Sequence, residues 1–209
     1  MKAFIFDLDG VIVSTDELHY QAWKKMADEE GVYFDRHINE RLRGVSRMQS
    51  LEIILERSKK IYSDKEKAVL SERKNEIYRE MLKRLTPGDR LPLVTETLKG
   101  LRENGYKLAI GSSSKNASLI LEKIGYKKYF DVVSDGNNIS NSKPDPEVFL
   151  CASRDLGVPP CKCYVVEDAE AGIQAANTGG FVSVGIGSAA EYSGTDIKIK
   201  TFDMLLNLK

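Results

Sequence analysis

Residues 2–11, Lys2-Ala3-Phe4-Ile5-Phe6-Asp7-Leu8-Asp9-Gly10-Val11, decide the fold. Four consecutive apolar side chains stop abruptly at an aspartate, and Asp9-Gly10 is a turn pair. A run this short and this apolar reads as a strand over Lys2–Asp7 buried on both faces, the kind found in parallel sheets. The same texture recurs at Lys107–Gly111, Asp131–Ser134, Tyr164–Val166 and Phe181–Val184. Helical patterns lie between these runs, over Val94–Asn104 (ended by Gly105), Lys115–Ile124, Asp145–Leu156 and Ala169–Thr178. Alternating strands and helices predict an α/β fold, a doubly wound, Rossmann-like parallel sheet with helices on both faces.

One span does not fit that alternation. All six prolines (87, 92, 144, 146, 159 and 160) fall outside residues 15–86, and only Gly31 and Gly44 of the 16 glycines fall inside. Its 72 residues carry 16 Lys and Arg and 14 Asp and Glu. A proline-free, charge-dense stretch predicts helices with solvated faces. The apolar spacing predicts one helix over Asp16–Glu30 with Leu18, Ala22, Trp23, Met26 and Ala27 inward, and another over Ser46–Lys60 with Leu51, Ile54 and Leu55, and Ile61 near its end. A third runs over Asp64–Leu85 with Ala68, Leu70, Ile77, Met81 and Leu82 as core candidates and a Ser63/Glu66 capping box. The expected organisation is an α/β core of residues 1–14 and 87–209 with an inserted helical domain of residues 15–86.

Composition narrows the function. Thirty-one basic residues balance 31 acidic ones, an argument against a nucleic-acid partner, which favours a basic excess. No apolar run reaches the ~18 residues of a membrane span. One Lys and four apolar residues before Asp7 are too short for a secretory signal, and Cys151, Cys161 and Cys163, odd in number, read as reduced thiols. The expectation is a cytoplasmic monomer acting on a small molecule.

Ligands of doubly wound sheets bind beyond the strand C-termini. There the sequence delivers Asp7 and Asp9, then Ser112-Ser113-Ser114-Lys115-Asn116, then Lys143, then Glu167-Asp168. Crowded carboxylates repel unless a cation is present, and oxygen ligands suit Mg²⁺. Serines opening a helix and a lysine suit phosphate. Together they predict phosphoryl transfer, with Asp7 as a nucleophile that forms an acyl phosphate and Asp9 as the general acid and base. Taken singly, each residue has a plainer reading: a strand-end or turn aspartate, a basic loop, or an N-cap before AEAGIQAA, and for Glu167-Asp168 capping is expected alongside metal binding.

The four motifs, DLDGV, the serine-ended second strand, SKPDPEVF and VVEDAEAGIQAA, in that order, resemble the haloacid dehalogenase superfamily. The insertion after the first motif is similar to that superfamily's helical cap. Within it, Thr15-Asp16-Glu17-Leu18-His19, Ala22-Trp23, Arg43-Gly44-Val45-Ser46-Arg47 with Ser50-Leu51, and Glu72-Arg73-Lys74-Asn75 resemble the β-phosphoglucomutase-like subfamily. The resemblance implies interconversion of β-glucose 1-phosphate and glucose 6-phosphate through an aspartyl phosphate and a bisphosphate; a sugar-phosphate phosphatase is the alternative, and a non-catalytic phospho-ligand binder a more distant one. It implies Mg²⁺ held by Asp7, Asp9 (through its backbone carbonyl), Glu167 and Asp168. Substrate or phosphate contacts are implied for Thr15, His19, Trp23, Gly44, Val45, Ser46, Arg47, Ser50, Lys74, Ser112, Ser113, Ser114, Lys115, Asn116 and Lys143. Arg47 would grip the phosphate distant from Asp7, and His19 and Thr15 would couple cap closure to Asp9. Two positions depart from the pattern: Leu93, where the group commonly has the glycine of a Pro-Gly pair, and Ala169, where a serine is expected.

Overall fold

The computed structural model describes residues 2–42 and 45–208. Six parallel strands, β1 (Ala3–Phe6), β2 (Lys107–Gly111), β3 (Val132–Ser134), β4 (Cys163–Glu167), β5 (Val182–Gly185) and β6 (Ile197–Lys198), form one sheet in the order β3-β2-β1-β4-β5-β6. That order reverses direction at β1, so the crevice beyond the C-termini of β1 and β4 is the topological switch point. In register, Phe6 pairs with Val166, and the Asp7 amide donates to the Val166 carbonyl at 2.9 Å. The residues just past Phe6 and Val166, Asp7 and Glu167, therefore emerge side by side.

All four residues of β1 are buried. Their alternation serves two cores. Ala3 and Ile5 join Ala109, Cys163 and Val165 against the helices Glu147–Leu156 and Glu170–Thr178, through Val148, Phe149, Ala152, Ala175 and Ala176. Phe4 and Phe6 point the other way; Phe4 lies 4.9 Å from the Tyr106 and Tyr164 rings and Phe6 5.7 Å from Phe202. Each fully buried Phe or Ile contributes about 1.5–3 kcal/mol, which fixes the strand that carries Asp7.

The chain divides into two compact units, Met1–Ser14 with Leu85–Lys209, and Thr15–Arg84. The first holds the sheet. The second holds helices α1 (Asp16–Glu29), α2 (Arg36–Glu40), α3 (Arg47–Leu55) and α4 (Asp64–Leu82). The sheet unit adds α5 (Val94–Glu103), α6 (Ala117–Lys123), α7 (Glu147–Leu156) and α8 (Glu170–Thr178). The helical unit buries Trp23, Met26, Ala27, Val32, Phe34, Ile38, Leu51, Ile54, Tyr62 and Leu70 in one cluster. The Ser63/Glu66 capping box opens α4 as expected.

Several local expectations are corrected. The second cap helix ends at Leu55, not Lys60: Ser58 turns back on the Leu55 carbonyl, and its hydroxyl accepts the Lys60 amide, diverting the backbone from the helical ladder. Ile61 is 95% exposed, and Tyr62 takes the inward place instead. Ala68 lies on the solvent face, because α4 buries Leu70, Ser71, Lys74, Asn75, Tyr78 and Leu82. The short α2 and β6 were not foreseen. Helix α6 starts at Ala117, not Lys115, because Ser112 and Ser114 spend their hydroxyls on the amides of Ser114 and Asn116 and hold a turn there. No helix among the described residues is long and apolar enough to cross a membrane.

Candidate active site

The sheet edge gathers Asp7, Glu167 and Asp168, each offering a carboxylate oxygen within 4.8 Å of the others. β1 delivers the first and β4 the other two. Into this cluster comes Lys143, whose ammonium donates to Asp7 Oδ1 and Glu167 Oε1, both at 2.5 Å. Burial alone would lower the Lys143 pKa, but the carboxylates of Asp7 and Glu167 outweigh it and raise it, so the side chain stays a cation. Burial pushes the Glu167 carboxyl up to about 7 despite Lys143. Burial, then the charges of Asp7, Glu167 and Asp9, push Asp168 up to about 8.

Those raised values test the fit to a metal. Three ionised carboxylates and one ammonium sum to −3 + 1 = −2, the charge a divalent cation cancels. The donors are all carboxylate oxygen, the set that suits Mg²⁺. Close approach is reserved around them: a Cβ on Gly172 would stand 2.0 Å from the Glu167 carboxylate, and one on Gly10 would stand 2.1 Å from Asp168 Oδ2. Asp7, Glu167 and Asp168 therefore fit a Mg²⁺ ion. The Asp9 carboxylate is not part of that three-way group, although its charge reaches Asp168.

Neither Glu167 nor Asp168 caps α8: the N-cap is Ala169, with no side-chain bond. Glu167 Oε2 instead accepts the amides of Asp168 at 3.1 Å and Ala169 at 3.3 Å, a tie that orients the carboxylate pair. Ala169, one of the departures, leaves the cluster's carboxylates intact.

The turn after β2 lies beside this cluster in the sheet order. Ser112 and Asn116 are buried, and the Ser112 amide donates to Ser134. The Ser113 hydroxyl is buried with no hydrogen-bond partner, the kind of orphaned donor that a bound anion would satisfy. Lys115 is exposed.

The helical unit has its own cluster. The Lys74 ammonium donates to His19 Nδ1 at 2.8 Å and sits over the rings of Trp23 (4.7 Å) and Tyr78 (4.8 Å). Burial, then the cations of Lys74 and Arg47, hold the His19 pKa well below 6.5, so its imidazole is neutral and Nδ1 is the acceptor. His19 stacks on Tyr78 at 4.0 Å, and the Tyr78 hydroxyl bonds Thr15 Oγ1 at 2.8 Å. Arg47, in the first turn of α3, donates from Nη2 to Asn75 Oδ1 at 3.0 Å. Ser46 caps α3 in a capping box with Gln49, so its hydroxyl is engaged in the helix start. Ser50 is buried and Val45 is 38% exposed. Gly44 lies outside the described residues.

Sequence reasoning gave no role to Glu72, Asn75, Tyr78 or Gly172, which the structure places against the candidate residues Arg47, Thr15 and Glu167. Asn75 and Tyr78 carry a signal in hindsight: Leu70, Ser71, Lys74, Asn75, Tyr78 and Leu82 share one helical face, so the polar members are buried with the apolar ones.

Residues 1–180 match the model of the haloacid dehalogenase-like hydrolase family. The chain is 42% identical to the β-phosphoglucomutase of Bacillus subtilis strain 168 over 211 aligned residues, covering 100% of this chain and 93% of that one. It is 33% identical to a phosphorylated carbohydrates phosphatase of Thermotoga maritima, over 86% of this chain and 82% of the relative. The crystal structure of a Clostridium difficile β-phosphoglucomutase superposes with a TM-score of 0.89 at 39% identity, covering 98% of this chain and 93% of that chain. The chain belongs to the haloacid dehalogenase superfamily, and it is to the β-phosphoglucomutase-like subfamily that it bears this full-length similarity.

Proposed function

We propose that the chain is a Mg²⁺-dependent β-phosphoglucomutase, a sugar-phosphate enzyme that interconverts β-glucose 1-phosphate and glucose 6-phosphate. The observation that carries this reading is the second polar cluster: the buried Lys74, the neutral His19 and the partly buried Arg47 on the helical unit. A hydrolase needs one phosphate site. A mutase working through a bisphosphate must hold a second phosphate while the first reacts, and Arg47 is the planar fork suited to it. The relatives named above include a mutase and a phosphatase, so family membership alone does not choose between them.

Asp7 acts as the nucleophile, forming an aspartyl phosphate as the sugar oxygen leaves. Asp9 gives that oxygen its proton, and takes one from the sugar hydroxyl that attacks the aspartyl phosphate in return. Lys143 stays charged beside Asp7 and Glu167 and offsets negative charge on the transferring group. A Mg²⁺ ion on Asp7, Glu167 and Asp168, with the Asp9 carbonyl as a further donor, would supply Lewis-acid stabilisation of the phosphoryl oxygens. Ser112, Ser113 and Lys143 bind the phosphoryl oxygens. Lys74 and His19 orient the sugar, and Arg47 holds the phosphate that is not reacting.

Protein incubated with Mg²⁺, β-glucose 1-phosphate and a catalytic amount of glucose 1,6-bisphosphate yields glucose 6-phosphate, read by a coupled dehydrogenase. Inorganic phosphate as the main product overturns the mutase reading in favour of a phosphatase. Arg47→Ala separates the two, abolishing mutase turnover while sparing much of a simple phosphatase activity.

A further inference from the structure

Arg47 is committed at both ends of its fork. Nη2 donates to Asn75 Oδ1 at 3.0 Å, while Nη1 lies 3.6 Å from Glu72 Oε2. Asn75 closes the triangle: its Nδ2 donates to Glu72 Oε1 at 3.2 Å. Glu72 and Asn75 are three residues apart on α4, so one helical turn presents the carboxylate and the amide together. The two Asn75 bonds are of different kinds. Its oxygen takes the cation's N–H and its amide feeds the carboxylate, which fixes both the amide orientation and the pose of the guanidinium.

The members differ in depth. Asn75 is 8% exposed, the Arg47 side chain is 29% exposed and the Glu72 side chain is 62% exposed. The amide contact is partly buried and has hydrogen-bond geometry. The carboxylate contact is open to solvent and longer than a hydrogen bond, so it is weak and reversible. A phosphate that takes the Arg47 fork must share Nη1 with Glu72 or push it aside, and it then sits beside a like charge.

We propose that Glu72 sets the affinity of the helical cluster for its ligand: it is an internal carboxylate that competes with the second phosphate for Arg47 and sets how tightly phosphorylated sugar is held, with Asn75 as the positioning residue that keeps the fork in its binding pose. The proposal rests on the reading of Arg47 as the distal phosphate ligand. Glu72 stands beside the guanidinium while no ligand is present, and its charge weakens the grip on product, favouring release. Removing its charge while keeping its shape tightens phosphate binding.

The test measures glucose 6-phosphate binding by calorimetry with Mg²⁺ present, a readout that needs no turnover. It compares wild type, Glu72→Gln, Glu72→Asp and Arg47→Ala, at low and high salt. Glu72→Gln is expected to lower Kd roughly threefold to tenfold at low salt, the scale of one exposed like charge, with the gain shrinking at high salt. Glu72→Asp keeps the charge and stays near wild type, and Arg47→Ala binds more weakly. If Arg47→Ala weakens binding but Glu72→Gln leaves it unchanged or weaker, the role of Glu72 falls while that of Arg47 stands. A tightening that salt does not reduce also overturns the proposal, since repacking and not charge would be its source. If Arg47→Ala binds as wild type does, the distal phosphate reading fails and takes the inference with it.

Discussion

Asp168→Asn makes the metal-free protein more stable at pH 8, and the structure sets the size of the gain. The Asp168 carboxyl is raised from its ordinary 3.8 to about 8 by burial and by its acidic neighbours. A raised carboxyl binds its proton more tightly folded than unfolded, so its contribution to stability is full below about pH 4 and is lost as pH rises toward 8. Each pK unit is worth about 1.4 kcal/mol, so four units bound the loss at roughly 6 kcal/mol; with the side chain partly exposed, solvent screening brings it to about 2–4 kcal/mol. For a chain of this size that is about 5–12 °C in Tm. The assay is thermal melting in EDTA and in Mg²⁺ at several pH values between 5 and 8. Wild type without metal loses stability across this range, Mg²⁺ restores it most at pH 8, and Asp168→Asn is flatter and gains little from Mg²⁺. A wild-type stability in EDTA that is flat or rising above pH 6.5, together with an asparagine variant no more stable at pH 8, would refute the charge argument.

Lys143→Met strips the counter-charge from Asp7 and Glu167 and, as for any broken buried pair, costs about 3–5 kcal/mol in urea unfolding while reducing turnover at least a hundredfold. His19, whose pKa is depressed, contributes stability that is present above pH 6.5 and lost as pH falls below it; proton NMR of its ring should show no protonation near pH 6, and a ring titrating at 6.5 would contradict its burial beside Lys74 and Arg47.

The sheet was legible because burial on both faces leaves a plain mark: Ala3–Phe6 and Lys107–Gly111 are mainly apolar runs too short for helices, and each is followed at once by a polar residue, Asp7 or Ser112. The order of the strand ends followed from chain connection, so Asp7, Lys143, Glu167 and Asp168 could be put at one edge from sequence. Leu93 shows how a departure is absorbed. It takes φ 65°, the left-handed conformation a glycine would adopt without strain, and is the only non-glycine with positive φ among the described residues. What sequence could not give was depth. In a span with 16 basic residues among 72, nothing distinguishes a buried Lys74 from a solvated Lys65 except which face of α4 packs inward, and that is decided by Leu70, Tyr78 and Leu82 acting together. The role of Ser46 failed to stand out for a related reason: a hydroxyl before a helix serves capping and ligand binding equally well on paper.

Depth also distinguishes the two internal counter-charges. Each polar cluster holds its own opposite charge in place, Lys143 among the carboxylates and Glu72 against Arg47. Lys143 is 10% exposed and 2.5 Å from both of its partners, so displacing it would leave two buried carboxylates uncompensated. It is therefore a fixed part of the carboxylate cluster. Glu72 is 62% exposed and 3.6 Å from Arg47, and water replaces it at little cost. On the proposal made above, it would yield to a ligand and return when the ligand leaves. With its carboxylates ionised the sheet edge carries a charge of −2, which a divalent cation relieves and, without one, a proton on Asp168 relieves in part, while the helical cluster sums Arg47, Lys74 and Glu72 to +1, a charge suited to an anion. On the proposed mutase reading, the carboxylate cluster is where the aspartyl ester would form and break, and Glu72 would tune the hold of the helical cluster on the second phosphate.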